Sequence, residues 1–315
     1  MSVTHGNPRS WAGRRCLVTG ASGFLGSTLC AGLRSGGAVV HAVQRHDPPA
    51  AALASQKCDV SDLDQVRAAF AESQPDCVYH LAAKVAGEQS LELVGPTLST
   101  NLVGTVNVLL TAMDSRCSNV VTIGSPMEPD QQLRGVPCSP YAVAKFAASA
   151  YARMFAGLFS LPVAIARPFM VYGAGQLDFT KLVPYVSRQL IRGGIADLST
   201  GRQAFDWVYV DDVVEALMVI ASRRDLSGRT IDIGSGELNT VAEVARGVAR
   251  RLNRPEAIRL GAVPDRQLEP TRAVDVDATA ELIGWRPKFS LQEGLDRTVA
   301  WYRTYLGREA ATTSH

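Results

Sequence analysis

No two cysteines in this chain stand three residues apart, and none belongs to a paired Cys/His set at metal-ligand spacing. The six thiols (Cys16, Cys30, Cys58, Cys77, Cys117 and Cys138) are scattered. That spacing excludes a zinc knuckle or a dithiol redox motif, implies no bound metal, and fits a reduced protein of the cytoplasm. Charge of one sign is also missing: 32 Lys+Arg against 30 Asp+Glu leave a formal net charge of +2. Without a dense basic run, neither nucleic acid nor an anionic membrane is an expected partner. Residues 1–10 hold no apolar signal core, and no stretch approaches the roughly 18 apolar residues of a membrane span. Internal repeats and low-complexity segments are absent as well, and the polar ends, MSVTHGNP and GREAATTSH, read as frayed tails. What remains is a chain of 315 residues, 46% hydrophobic and 20% charged, with ample material for a globular core and a small molecule as its expected partner.

The apolar residues alternate between two periods. RRCLVTG (14–20) is a short strand-like run ending in glycine. In ASGFLGSTLCAGLRSGG, Phe24, Leu25, Leu29 and Leu33 then recur at helical spacing until the paired glycines stop them. AVVHAV (38–43) is a second strand, which completes a βαβ unit. The rhythm continues with helices over 62–73, 97–115 and 139–159 and strands over 76–82, 119–125 and 162–168. Such alternation predicts an α/β fold, a Rossmann-type doubly wound parallel sheet with helices on both faces. Beyond residue 170 the rhythm breaks. A helix over 180–192, a short strand pair within 196–210, a helix over 211–222, the strand RTIDIGSG and helices over 239–252 and 277–284 predict a smaller C-terminal α/β lobe for substrate, some of which returns to the sheet. The expected division is 13–170 for dinucleotide binding and 171–308 for substrate.

Gly20, Gly23 and Gly26 of GASGFLG fall in the first strand-to-helix turn. Glycine there permits a tight turn and lets backbone approach a pyrophosphate, while the free N–H groups and dipole at the helix start attract the anion. The second strand ends AVQRHDPP, with Gln44 and Arg45 where an NAD site carries an acid for the ribose 2′-hydroxyl. An arginine pairs with a 2′-phosphate instead, so NADP is the expected cofactor. The alternative is NAD, held by Asp47 in a shifted register. Asp59 of KCDVSD follows the third strand, where a carboxylate accepts from the adenine amine; it also fits a helix N-cap, a place for which Asp62 competes.

SPYAVAKF (139–146) places Tyr141 and Lys145 four positions apart in an alanine-rich helix, hence on one face. A cation beside a phenol favours the phenolate and brings proton transfer nearer neutral pH. Alone this pair means little. About one chain in eight of this composition would contain it by chance.

Nine segments in order carry a resemblance: LVTGASGFLG, CDVSD, HLAAKV, NLVGTVNVL, VVTIGS, YAVAK, RPFMVYGAGQ, FDWVYVDDVVEAL and IGWRPKFSLQEGL. Together, over about residues 13–305, they resemble the extended short-chain dehydrogenase/reductases, the nucleotide-sugar epimerases, dehydratases and ketoreductases. The resemblance implies Ser125, Tyr141 and Lys145 as the catalytic set. Tyr141 would give a proton to the developing alkoxide, Ser125 would donate to the same oxygen, and Lys145 would hold the cofactor ribose and lower the Tyr141 pKa. It further implies that Ser22, Phe24, Leu25, Val60, Leu81, Ala82, Ala83, Lys84, Pro168 and Phe169 join the glycine turn in binding the cofactor. His80, inside a strand, is expected to be a satisfied core histidine. Dehydratases of the family follow the Ser/Thr with an Asp-Glu pair. Here Pro126 and Met127 follow Ser125, and no acid/base pair for elimination is evident. GAVPDRQLEPTRAVDVDATAELIGW is similar to the tail of ketoreductases acting on nucleotide-linked 4-ketosugars. The function so implied is NADPH-dependent reduction of the 4-keto group of a nucleotide-linked (dTDP) 4-keto-6-deoxyhexose. The alternative is an NAD-dependent nucleotide-sugar 4-epimerase. For substrate, the resemblance points to Val85, Ser125 and position 170. Met170 and Phe205 stand where many members carry Asn and Arg against the diphosphate, and Arg202, Arg266 and Arg272 are candidates to replace that charge. The segments 97–115 and 141–158 match those through which family members form homodimers.

Overall fold

The computed structural model describes residues 11–45, 55–129, 136–266 and 268–313, with side chains through residue 308. The strands β1 (Arg15–Thr19), β2 (Val39–Gln44), β3 (Ser55–Lys57), β4 (Cys77–His80), β5 (Asn119–Ile123), β6 (Val163–Pro168) and β10 (Thr230–Ile233) form one parallel sheet in the order β10-β6-β5-β4-β1-β2-β3. This is the doubly wound order, with its reversal between β1 and β4. The helices α1 (Phe24–Ser35), α2 (Leu63–Ser73), α4 (Gly104–Asp114), α5 (Pro140–Phe159) and α7 (Val210–Ala221) cover it.

Strands buried on both faces read as continuous apolar runs, and β1, β4, β5 and β6 do so here. Leu17, Val78, Val120 and Ile165 from the sheet pack with Val66 and Phe70 of α2, Val108 and Leu109 of α4 and Phe155 of α5. Each such side chain contributes about 1.5–3 kcal/mol by leaving water. Local chemistry sets the helix starts. Asp62 caps α2 through Asp64 and Gln65 N–H, while Ser139 caps α5 through Ala142 N–H with Pro140 at its first position.

The helix expected over 97–115 begins earlier. A 3-10 turn (Leu91–Leu93), α3 (Val94–Thr97), a π-helical segment (Leu98–Val103) and α4 run on continuously. Among the described residues Leu91–Asp114 is the one helix long and apolar enough to cross a membrane by length and composition, where the sequence promised none. Its buried positions include Thr97, Asn101, Thr105, Asn107 and Thr111, and Asn107 donates to the Val60 carbonyl at 3.0 Å. Threonine and asparagine among the leucines and valines kept the stretch from reading as one apolar run.

The chain divides into two compact units. The first comprises Met1–Arg167 with Val214–Ile231, and the second Pro168–Val213 with Asp232–His315. The second contains β7 (Met170–Tyr172), α6 (Leu182–Ile191), β8 (Ala196–Asp197), β9 (Ala204–Tyr209), β11 (Leu238–Thr240), α8 (Val241–Arg251), β12 (Ile258–Arg259), α9 (Val276–Ile283) and α10 (Leu291–Thr313). The strand pair expected within 196–210 does not form: β8 pairs with β12, while β9 lies between β7 and β11. α10 was not anticipated, and it extends through much of the segment taken for a frayed tail. Two aspartates of FDWVYVDD act as backbone anchors inside this unit. Asp206 accepts from the N–H groups of Ser235, Gly236 and Val274 at 2.6–3.0 Å, and Asp212 from those of Lys288 and Phe289.

Candidate active site

The glycine turn leaves β1 at the point where strand order reverses. Gly20 has φ +68°, and a Cβ there would lie 2.7 Å from the Ala82 nitrogen; at Gly26 it would lie 2.2 Å from the Gly20 carbonyl oxygen. Both contacts are shorter than atoms tolerate, so only glycine lets the turn close against the segment after β4. Thr19 Oγ1 accepts from Ala82 N–H at 3.2 Å and fastens the same two segments. The first turn of α1 has no side-chain cap and no acid. A helix start without cap or acid leaves its first N–H groups and dipole to an anion, which suits a pyrophosphate.

Around this turn the expected cofactor residues are distributed unevenly. Ser22 is exposed, Phe24 and Leu25 are half-buried at the start of α1, and Leu81, Ala82 and Ala83 line the neighbouring segment. Lys84 is held by Asn101, whose side chain accepts from the Lys84 N–H at 2.7 Å and donates to its carbonyl at 3.1 Å. Asn101 lies in the π-helical segment, a distortion frequent at functional sites. Val60 turns its side chain into the core under Gly104, which leaves only its backbone to a cofactor. Gln44 ends β2 buried, and Arg45 follows exposed; Asp47, the alternative ribose ligand, lies outside the described residues. Asp59 is not the cap of α2. Its Oδ1 holds Ser61 through N–H and hydroxyl at 2.9 and 2.7 Å, while Asp62 serves as the cap.

Ser125 follows β5, and Tyr141 and Lys145 lie on α5. The Tyr141 hydroxyl comes close enough to the Ser125 side chain for the serine to lower its pKa. Lys145, 3% exposed, donates from Nζ to the Ile123 carbonyl at 2.8 Å. Burial pushes the Tyr141 hydroxyl up to about 12, against a downward pull from Ser125 and with a further upward push from Glu128. Lys145 is brought down to about 8 by burial, opposed by Glu128. The phenol is therefore firmly protonated at neutral pH, and the expectation that Lys145 holds it below its ordinary value is corrected. Desolvation dominates, the Glu128 charge adds to it, and Lys145 is not among the groups that shift the phenol. His80 is a core histidine, as anticipated: Thr19 and Thr105 hydroxyls flank its ring nitrogens at 2.8 and 3.1 Å, and burial drives it down to about 3.

Two residues escaped the sequence reading. Asn101 was only part of a quoted motif. Glu128, 6% exposed, has its Oε1 committed to the Ser125 N–H at 2.6 Å and the Ser149 hydroxyl at 3.1 Å. The one available signal was an acid three residues after the serine.

In the second unit, Pro168 and Phe169 are buried, and Phe169 N–H donates to the Ile233 carbonyl at 2.9 Å. Met170 is half-buried opposite Trp207, and Phe205 packs edge-on to Trp207. Arg272 lies over the Phe169 ring at 5.5 Å, Arg266 pairs with Glu269 at 3.6 Å, and Arg202 is exposed with Asp265 near enough to feel its charge. Val85, in the first unit, is exposed. No cluster of metal-ligating side chains occurs among the described residues.

A doubly wound sheet, an uncapped glycine turn at its switch point and a Ser, Tyr and Lys gathered at the strand ends define an extended short-chain dehydrogenase/reductase, an NAD(P)-dependent enzyme. The chain belongs to the NAD dependent epimerase/dehydratase family, whose model matches residues 16–234. It is 30% identical to the UDP-glucose 4-epimerase of Mycolicibacterium smegmatis, over 92% of this chain and 98% of that protein. It is likewise 30% identical to a dTDP-4-dehydro-6-deoxy-D-allose reductase of a Streptomyces species, over 94% and 98%. Among solved structures, the NAD complex of Thermus thermophilus UDP-glucose 4-epimerase superimposes with a TM-score of 0.81 at 27% identity, covering 92% of this chain and 99% of that one.

Proposed function

We propose that this enzyme uses NADPH to reduce the 4-keto group of a nucleoside-diphosphate-linked, dTDP-type 4-keto-6-deoxyhexose. The observation that carries the proposal is the end of β2: Gln44, an amide in place of a carboxylate, followed by exposed Arg45. A carboxylate there repels a 2′-phosphate, and a guanidinium attracts it. A reductase consumes its cofactor and so draws on the NADPH pool, whereas a 4-epimerase returns the electrons to the same sugar. Similarity to the allose reductase supports the same direction.

Bound NADP would supply the two-electron redox chemistry. The residues to hold it are Gly20, Ser22, Gly23, Phe24, Leu25 and Gly26 at the pyrophosphate, Gln44 and Arg45 at the 2′-phosphate, Asp59 and Val60 beside the adenine, and Leu81, Ala82, Ala83, Lys84, Pro168 and Phe169 toward the nicotinamide. Tyr141 is the proton donor: a phenol with a raised pKa is fully protonated at neutral pH and gives up its proton only to a strong base such as a developing alkoxide. Ser125 donates to the same oxygen, and Lys145, anchored on Ile123, presents its remaining ammonium protons to the cofactor ribose. Met170 and Val85 line the sugar. Arg202, Arg266 and Arg272 supply the positive charge that a diphosphate requires.

Leu91, Val94, Leu98, Val103, Leu110 and Met113, with Val143, Tyr151 and Leu158 of α5, are exposed apolar residues of the kind an oligomer covers, and we assign these helices to a homodimer. All six thiols are free, which suits the cytoplasm.

The second reading is an NAD-dependent 4-epimerase, supported by equal identity to the mycobacterial epimerase and by the NAD in the Thermus complex. Purified protein incubated with a dTDP-4-keto-6-deoxyhexose and either reduced cofactor distinguishes them. Loss of reduced-nicotinamide absorbance, faster with NADPH, is expected. Sugar interconversion without added cofactor would transfer the assignment to the epimerase.

A further inference from the structure

The loop after β5 buries a carboxyl group for which the reaction above has no use. An ionisable carboxyl is costly to bury unless it is bonded, and Glu128 is bonded on several sides. Besides the two bonds to Oε1, its N–H donates to the Ser125 carbonyl at 3.1 Å, and Ser125 Oγ accepts from Met127 N–H at 3.2 Å. Gly124 makes the space: a Cβ there would lie 2.8 Å from Oε1, 3.1 Å from Ile165 Cγ2 and 3.5 Å from Ser149 Oγ. Ser149 stands one helical turn beyond Lys145 and two beyond Tyr141, so the three form one stripe along α5. Glu128 joins the backbone of Ser125 to that stripe.

The charged and titratable groups facing Glu128 are Lys145 and Tyr141 on α5 and Arg167 on β6; His80 on β4 faces Lys145 and stays neutral. Burial raises the Glu128 carboxyl, while Ser125 N–H, Arg167, the Ser149 hydroxyl and Lys145 pull it back. Its negative charge in turn raises both Lys145 and Tyr141, which favours ammonium and phenol.

We propose that Glu128 is a positioning residue: its carboxylate ties Ser125 to the Tyr141, Lys145 and Ser149 stripe and supplies the counter-charge of Lys145. This rests on Ser125, Tyr141 and Lys145 being the reacting groups.

Glu128→Gln separates charge from geometry, because an amide oxygen still accepts from Ser125 and Ser149. The test is the titration of Lys145 in protein carrying 13Cε-lysine, followed by NMR and assigned with Lys145→Arg; it needs no substrate, so an error in the proposed reaction leaves it intact. Lys145 should titrate about one pH unit lower in Glu128→Gln than in the native protein. With whichever substrate is turned over, kcat should fall about tenfold and KM stay within about twofold. An unmoved Lys145, or an unmoved kcat, overturns the proposal. Should Glu128→Gln fail to fold, Ser149→Ala carries the test. It keeps the charge and loosens the tether, so kcat falls several-fold with Lys145 unshifted; a native kcat in that variant overturns the tether.

Discussion

The ammonium of Lys145 donates to the carbonyl oxygen of Ile123 at 2.8 Å, two residues before Ser125. One side chain thus pins α5 to the end of β5, holding together residues 22 positions apart in sequence. The bond also leaves a buried cation whose charge can be lost near physiological pH, because its pKa is about 8.

Replacing Tyr141 by Phe removes the proposed proton donor and little else. kcat should drop by about 10²- to 10⁴-fold, the contribution of positioned acid catalysis, while reduced-cofactor affinity by fluorescence titration stays within a few-fold. Full turnover by Tyr141→Phe would defeat the assignment.

Arg45→Ala is expected to weaken NADPH about ten- to a hundredfold, the scale of a lost charged hydrogen bond of roughly 1.5–3 kcal/mol, and to leave NADH unchanged. Equal effects on both cofactors would place Arg45 away from the 2′-phosphate.

At the glycine turn, Gly26→Ala would drive a methyl into the Gly20 carbonyl. Loss of dinucleotide binding, with destabilisation of about 1–3 kcal/mol or more, should follow. Gly157→Ala is the contrasting case: it is exposed within α5 with nothing within 4 Å of the new methyl. There the change should stabilise by about 0.5–1 kcal/mol in urea unfolding. Indifference at Gly26 would refute the close approach.

His80 makes stability depend on acid. Its folded pKa, about 3, lies below the ordinary 6.5, so between those values the unfolded chain binds a proton that the folded chain refuses. Stability is therefore complete above about pH 6.5 and declines as pH falls toward 3, by a few kcal/mol over the window at about 1.4 kcal/mol per unit. His80→Leu should flatten this slope, and urea midpoints between pH 6.5 and 5 measure it. Parallel pH profiles for the two proteins would contradict a buried neutral imidazole.

Some of this was legible in the chain because it is local. The Tyr141 and Lys145 pairing follows from the helical period alone, and the glycine spacing requires only a strand before it and a helix after. Buried strands announce themselves as apolar runs such as NVVTI. Glu128 was illegible for the opposite reason. An acid in a loop is ordinarily solvated, and only the space above Gly124 and a hydroxyl from two turns along α5 turn it into an internal tether. The Tyr141 pKa was misjudged for a related cause, since a neighbouring cation can be inferred from spacing and the loss of surrounding water cannot.

By itself, then, the amino-acid order settled the alternation of strands and helices, the closing of the first turn and the shared face of Tyr141 and Lys145, because each depends on neighbours within a few residues. Only the folded chain settled the strand order, the meeting of Ser125 with α5, the burial that keeps Tyr141 protonated and the place of Glu128. These depend on contacts between distant segments and on the exclusion of water, which exist only once the core has closed around them.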